Sequence, residues 1–437
     1  MKLPDAYLNR MRDQLKEAFP AYLVAMAQPP AAALRVNTLK ISPERFTVLS
    51  RAALTPVAGW DDAFSVPDGF RPGYDPLHCA GLYYMQEASA QMPARLPFIE
   101  PGMAVLDLCA APGGKTSQLA ARMNGSGILV ANEYVPSRAN VLVGNLERTG
   151  VSNAVVTNMD TGALCSRLSE SFDVVLCDAP CAGEGMFRKD PKAVEEWSEE
   201  HVRACAVRER GILDNAAKAV KPGGQLVYST CSFSPDEDED TTRWFLGSHP
   251  GFSLRFEQKL YPHVFPGEGQ YCALFVKDGT RVPSVFTEGR SDRVASWEDF
   301  SRGLAPLHGR ILRLKDGRVL LLPPLPFALD NLKTVRAGLL LGEDRGNRFE
   351  PSHALALSNG SSPFLHTEEL DEEETFRYLT GETVSRISEK GWCAALYKGY
   401  ALGLMKSDGT VLKNHYPKGL RLLENPLAAC KRPVNPV

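Results

Sequence analysis

The sequence of 437 residues lacks the signals that mark several large protein classes. No run of about 18 apolar residues occurs, so no membrane-spanning helix is expected. The first twenty residues mix both charge signs and hold no continuous apolar segment of the export-signal kind, so the expected location is the cytoplasm. Ten cysteines are present, but none stands in a C-x-x-C pair, which removes the usual zinc and thioredoxin patterns, and no metal is expected. Without an export signal the cysteines read as reduced thiols rather than a disulfide framework. The net charge of −3 excludes a globally basic nucleic-acid binder but still allows a local basic surface. No internal repeat of solenoid period is found, and nothing in the chain reports an oligomeric state.

What is present is a change of pattern along the chain. Near the start, Tyr7, Met11, Leu15, Ala18 and Tyr22 recur at helical spacing. Prolines and glycines crowd residues 56–76, and a further helix is expected over 86–94. From about residue 102 to 278, short apolar runs alternate with helical segments. The runs are 104–109, 128–132, 154–158, 174–177 and 226–229; the helices are expected over 115–123, 137–149 and 202–220. Apolar strands separated by helices imply βαβ units and a parallel sheet covered on both faces. Two last runs, 252–256 and 271–276, suit an antiparallel edge pair. After a polar linker at 279–292, an Asp316-Gly317 turn splits the apolar stretch 311–322, a hairpin signal. Residues 368–374 hold six acids, expected as a solvated helix start or loop. Strands follow at 392–397, 400–405 and 411–412. From residue 398 onward there are seven Lys/Arg and two acids, with Tyr397, Tyr400, His415 and Tyr416 interleaved.

The sharpest local pattern runs Val105-Leu106-Asp107-Leu108-Cys109-Ala110-Ala111-Pro112-Gly113-Gly114-Lys115-Thr116. A strand ends in small residues and a helix begins. The missing side chains let a ligand approach the backbone, and the helix start offers free N–H groups. A phosphate-binding P-loop needs Gly five residues before Gly114, where Cys109 stands, so a nucleotide hydrolase is disfavoured. G-x-G-x-x-G is absent as well. Glu133 directly follows the second strand, where a carboxylate can accept bonds from two ribose hydroxyls. Asp160, Asp178 and the Thr230-Cys231 pair end the third, fourth and fifth strands. All of these lie at carboxyl ends of parallel strands, where open α/β sheets bind ligands.

Cys181 follows the fourth strand and Cys231 the fifth, so both open onto one cleft if the strands are neighbours. A thiolate is a strong nucleophile at neutral pH. Added to carbon 6 of a pyrimidine, it turns carbon 5 into an enamine carbon that can attack an electrophilic methyl group. A second group must then remove the carbon-5 proton so that the thiol can leave. Two cysteines and an acid meet this demand, but the chemistry does not say which cysteine attacks.

Four stretches carry a resemblance: LDLCAAPGGKTSQLA, ANEYVPSRANVLVGNLERTG, FDVVLCDAPCAGEGMFRKDPKAVEEWS and GGQLVYSTCSFSPDEDED. LRVNTLKIS, GLYYMQEASAQMPA, LYPHVFPGEGQYCALFVK and NHYPKGLR extend it over nearly the whole chain. The sequence resembles the RsmB/RsmF family of S-adenosylmethionine-dependent RNA 5-methylcytosine methyltransferases, related to the Sun and nucleolar methyltransferases, and most of all the RsmF type. The resemblance implies an α/β fold: a Rossmann-like core with a mostly parallel seven-stranded sheet, an N-terminal α/β extension and a small PUA-like C-terminal β module. It implies S-adenosylmethionine as cofactor, bound by Cys109, Ala110, Ala111, Pro112, Gly113, Gly114 and Lys115 with Glu133 at the ribose, Asp160 at the adenine, and Asp178. It implies Cys231 as the nucleophile and Cys181 as the cysteine that assists release, with Asp178 hydrogen-bonding the cytosine. Lys115 and Arg188 are weaker candidates, with surface cations as the competing reading. Departures are Ala182, where the family commonly has Ser, and Glu237-Asp238-Glu239 in place of Glu-Asn-Glu. Neither is expected to touch the chemistry.

A base inside a stacked helix is out of reach, so the flanking modules must hold the RNA. The expected division is an RNA-binding extension at 1–98, the methyltransferase core at 99–280, an intermediate domain at 290–380 and a PUA-like RNA-binding module at 381–437. The N-terminal part has ten Lys/Arg and nine acids through residue 98, so the basic tail is the better RNA footprint. The expected activity is methylation of cytosine carbon 5 in ribosomal RNA, 16S above all, as naked RNA or in the small subunit, with no membrane partner. A tRNA cytosine methyltransferase and a non-catalytic RNA-binding assembly factor are the alternatives.

Overall fold

The computed structural model describes residues 3–358 and 362–424. Cys430, Lys431 and Arg432 of the basic tail lie outside the described residues. Eight strands build the central sheet: Ala104–Asp107 (β1), Ile128–Asn132 (β2), Ala154–Thr157 (β3), Phe172–Asp178 (β4), Val220–Thr230 (β5), Phe252–Leu260 (β6), Gln270–Lys277 (β7) and Thr334–Ala337 (β8). Their order is β6-β7-β5-β4-β1-β2-β3-β8. The five central strands are parallel, and β6 and β7 form the expected antiparallel pair at one edge.

Consecutive apolar residues explain why this sheet is covered twice. Leu106, Val130, Val175 and Leu226 pack on one face with Leu213 of the helix Glu199–Ala219. Their neighbours Val105, Leu129, Val174 and Val227 pack on the other with Leu119 of Gly114–Met123 and Leu142 of Pro136–Arg148. The period-two side-chain alternation of strands sends adjacent residues to opposite layers, and each buried side chain of this size contributes about 2 kcal/mol.

Seven strands were expected, and β8 is the eighth. It comes from beyond the core and pairs antiparallel with β3, Thr334 opposite Thr157 and Arg336 opposite Val156. Asn158 N–H donates to the Lys333 carbonyl and Gly338 N–H to that of Ala154, each at 2.9 Å. The pairing closes what would otherwise be an open edge. The expected helix at 86–94 is instead a 3-10 turn, Ser89–Gln91. Polar side chains take the backbone partners that a helix would use: the Glu87 carboxylate accepts the N–H groups of Ser89 and Ala90, and Gln86 Nε2 donates to the Ala90 carbonyl. The first helical face is divided as well, into Asp5–Leu15 and Phe19–Met26 with a 3-10 turn between them.

The N-terminal part forms a four-stranded sheet in which Ala33–Val36 lies between Ala63–Ser65 and Tyr83–Met85. The expected hairpin appears as Arg310–Arg313 and Arg318–Leu322, turning through Asp316 and Gly317. The last sheet has five strands, among them Gly391–Tyr397, Tyr400–Ser407 and Val411–Asn414. Ahead of this module's expected start at 381, Thr367–Glu369 pairs parallel with Gly391–Tyr397, and the acid run becomes the capping box of the helix Glu372–Thr380, built on Asp371 and Glu374. We propose that the module starts near residue 366. Of the aromatic residues among the C-terminal cations, Tyr397 and Tyr416 are buried, Tyr400 is half-buried and His415 is exposed; Tyr378, Leu402 and Met405 share a cluster with Leu34 and Tyr83 of the N-terminal sheet.

Candidate active site

Strand register brings the two cysteines together. On the parallel pair β4 and β5, Asp178 stands opposite Ser229. Ser229 Oγ donates to Asp178 Oδ1 at 2.7 Å, and Ala179 N–H to the Ser229 carbonyl at 2.9 Å. Both chains then leave the sheet at the same level, and Cys181 and Cys231 meet with their sulfurs 3.1 Å apart. Both are free thiols and partly exposed. The Cys231 N–H donates to the Cys181 sulfur at 3.3 Å. The hydrogen bond with Cys231 and then burial push the Cys181 thiol well up.

The glycine-rich loop lies beside them. Gly113 takes φ +112°, a conformation suited to glycine, and caps the helix Gly114–Met123. The loop backbone is tied from several sides. Ala110 N–H donates to the Asn132 carbonyl at 2.8 Å. Arg138 holds the Ala111 carbonyl and Asn145 Nδ2 the Pro112 carbonyl, each at 2.8 Å. Asp107, at the end of β1, accepts Thr116 Oγ1 at 2.7 Å, and burial pushes its carboxyl up to about 7.

A cleft of about 730 Å³ runs across the carboxyl ends of the strands. Cys109, Glu133, Asp160, Asp178, Cys181 and Cys231 all line it. Glu133 is buried and accepts the Val135 N–H at 2.9 Å, while Asp160 caps the helix Thr161–Arg167 through the Ala163 N–H at 3.0 Å. Lys115 extends from the loop to Asp178 Oδ2 at 2.8 Å. Burial disfavours the Lys115 charge, but the Asp178 carboxylate outweighs it and the ammonium is held. Gln270 Nε2 donates to Asp178 Oδ1 at 3.2 Å, so β7 also fixes this carboxylate.

Arg188 lies elsewhere. It is a buried tie that donates to Glu268 at 2.8 Å and to the carbonyls of Gly267 and Ala25. Glu237 is a residue that the sequence reading did not single out. Its carboxylate accepts the Ala182 N–H at 2.7 Å and the Ser232 hydroxyl. Asp238, where the family commonly has Asn, accepts Thr230 Oγ1 at 2.6 Å, and Lys259 approaches it to 2.9 Å. Glu184 is the other residue missed: fully buried, it accepts the Phe233 N–H at 3.0 Å and Trp197 Nε1 at 2.7 Å and pairs with Arg10. Glu184, an acid among small and apolar residues close to Cys181, carried a signal; Glu237, in the middle of the acid run 236–240, carried none that sets it apart. Among the described residues, no three His, Cys, Asp or Glu gather as metal ligands, and no helix is long and apolar enough to cross a membrane.

A doubly wound sheet with a glycine-rich first turn and carboxylates at successive strand tips defines a Rossmann-like protein of the methyltransferase class. Residues 98–273 match the family described as 16S rRNA methyltransferase RsmB/F, and residues 3–88, 297–358 and 366–422 match its RsmF N-terminal, first C-terminal and PUA domains. The chain is 33% identical to ribosomal RNA small subunit methyltransferase F of Enterobacter sp. over 95% of both chains, and 34% identical to that of Shewanella loihica over 96% of both. A solved methyltransferase homologue from Pyrococcus horikoshii, 29% identical, superposes with a TM-score of 0.56 over 62% of this chain and 93% of its own. The chain belongs to the RsmB/F family, with the RsmF domain set.

Proposed function

We propose that the chain methylates carbon 5 of cytosine in small-subunit ribosomal RNA, in the cytoplasm, with S-adenosylmethionine as methyl donor. The observation that carries the reading is the pair of sulfurs 3.1 Å apart at the end of a cleft that also holds Glu133 and Asp160. The donor set fits the cofactor. Glu133 offers a carboxylate to a ribose diol, Asp160 an acceptor to the adenine amino group, and the 109–115 loop its main-chain groups to the charged amino-acid end. When bound, S-adenosylmethionine supplies an electrophilic methyl group.

The protein side follows from charge and distance. Cys231 as thiolate attacks carbon 6 of the flipped base, and the π electrons move toward carbon 5 and the ring. Lys115 and Asp178 form a polar pair at the base; Asp178 accepts from the amino group and from the ring nitrogen, which takes a proton from solvent as the adduct forms and returns it on release, and this lowers the energy of the adduct. After methyl transfer, carbon 5 carries one proton too many. Cys181, once deprotonated, removes it, the double bond re-forms and the Cys231 sulfur leaves as thiolate. The thiol of Cys181 then returns its proton to solvent. The PUA-like module and the N-terminal sheet, which share one apolar cluster, hold the RNA as one body.

The test is incubation with labelled cofactor and total RNA, followed by digestion to nucleosides. Label in 5-methylcytidine from 16S RNA is expected. Label confined to tRNA would select the tRNA reading, and no label with intact RNA binding would select the assembly-factor reading.

A further inference from the structure

The two cysteine loops are joined beneath their sulfurs by one side chain that belongs to neither. Glu237 is fully buried. One carboxylate oxygen accepts the N–H of Ala182, the residue after Cys181, at 2.7 Å. The other accepts the hydroxyl of Ser232, the residue after Cys231. The Glu237 carbonyl in turn accepts the hydroxyl of the buried Tyr228, on the strand that carries Cys231. Ala182 and Ser232 both donate, so the ionised form, which only accepts, matches the two loop contacts at once. An amide would turn one N–H toward a donor. Ionisation is not free: burial and the nearby Glu184 carboxylate push the carboxyl up to about 7, while a hydrogen bond with Glu209 favours the charge. A buried carboxylate kept at this point, bonded to both cysteine loops, has a purpose that packing alone would not require.

We propose that Glu237 is a positioning residue for the cysteine pair, holding the Cys181 and Cys231 loops in the register that lets both sulfurs address one base. The proposal rests on the assignment of that pair to cytosine chemistry. Attack at carbon 6 and proton removal at carbon 5 engage adjacent atoms of one ring. A loop shift of about 1 Å separates the two roles and costs both adduct formation and adduct breakdown.

The test uses the full chain carrying Glu237→Gln, Glu237→Ala and Ser232→Ala. Ser232→Ala removes one of the two contacts and leaves the buried carboxylate in place, so it stays informative if Glu237→Ala fails to fold. The first readout needs no turnover: the rate at which a bifunctional alkylating dye becomes fluorescent by bridging Cys181 and Cys231, with the bridge located by peptide mapping. The second is kcat against KM for S-adenosylmethionine and RNA. For Glu237→Gln, bridging and kcat are each expected to fall at least about tenfold with cofactor KM within about twofold, since Glu237 does not line the cleft. Ser232→Ala is expected to lie between wild type and Glu237→Gln, and the double variant to be no worse than Glu237→Gln alone. Folded Glu237→Gln and Ser232→Ala proteins that bridge and turn over like wild type would overturn the proposal. Reduced bridging in variants of a protein that makes no 5-methylcytidine would instead leave the clamp standing and defeat the functional reading.

Discussion

Lys115 Nζ donates to Asp178 Oδ2 at 2.8 Å and so ties the first loop of the sheet to the strand that leads into the Cys181 loop. On the proposed function, the pair sits where cofactor and base meet. Replacing Lys115 with Met keeps the length of the side chain and leaves Asp178 with Ser229 and Gln270. Loss of this preorganised charge is expected to lower kcat by about 100-fold. Steady-state kinetics with saturating RNA check it; a kcat within threefold of wild type (about 0.6 kcal/mol) would remove Lys115 from the site.

The two cysteines are expected to fail differently. Cys231→Ala abolishes methylation and forms no adduct. Cys181→Ala still attacks and transfers methyl but cannot complete release, so a protein–RNA adduct accumulates as a slow band on a denaturing gel. An adduct from Cys231→Ala instead would exchange the two roles.

Arg10 reaches from the first helix to the fully buried Glu184, which in turn holds the Phe233 N–H. Arg10→Ala leaves a buried carboxylate without its cation and is expected to destabilise the chain by about 3 kcal/mol. Denaturant unfolding monitored by tryptophan fluorescence measures this, and Trp197, bonded to the same carboxylate, makes the signal local.

The pH dependence of stability and activity should run in opposite directions through Glu237. Burial raises its carboxyl to about 7, with Glu184, Glu209 and Asp238 as the acids around it. A carboxyl raised on folding contributes stability that is complete below the ordinary carboxylate range and is lost as pH climbs through about 7. The clamp needs the ionised form, so kcat should rise over the same interval. Thermal unfolding of wild type against Glu237→Gln from acid to neutral pH isolates the first effect, because the amide removes that slope. Parallel slopes in the two proteins would count against it.

The core was legible because its evidence is local. Runs such as 128–132 and 154–158 are continuous apolar segments between helices, and a parallel sheet covered on both faces leaves no other imprint. The meeting of Cys181 and Cys231 was legible too, since strand tips that share a level follow from adjacency. What escaped depends on distant partners. Thr334–Ala337 is four residues with one apolar side chain buried, and only the open side of β3 makes it a strand. Glu237 finds Ala182 across 55 positions, and Arg188 finds Ala25 across 163. Polar contacts of that span leave no periodicity. The sequence also left open on which side the tyrosines among the C-terminal cations lie: such residues serve a stacking surface or a small β core alike, and here Tyr397 and Tyr416 pack into a core shared with the N-terminal sheet.

The strand Thr334–Ala337 has a consequence for the order of assembly. During synthesis the catalytic sheet emerges first with the flank of β3 bare, able to pair with any extended neighbour. That flank stays bare until Ala337 has left the ribosome, so a chain cut anywhere between β7 and β8 would carry every residue of the proposed cysteine and cofactor site and still be prone to aggregate.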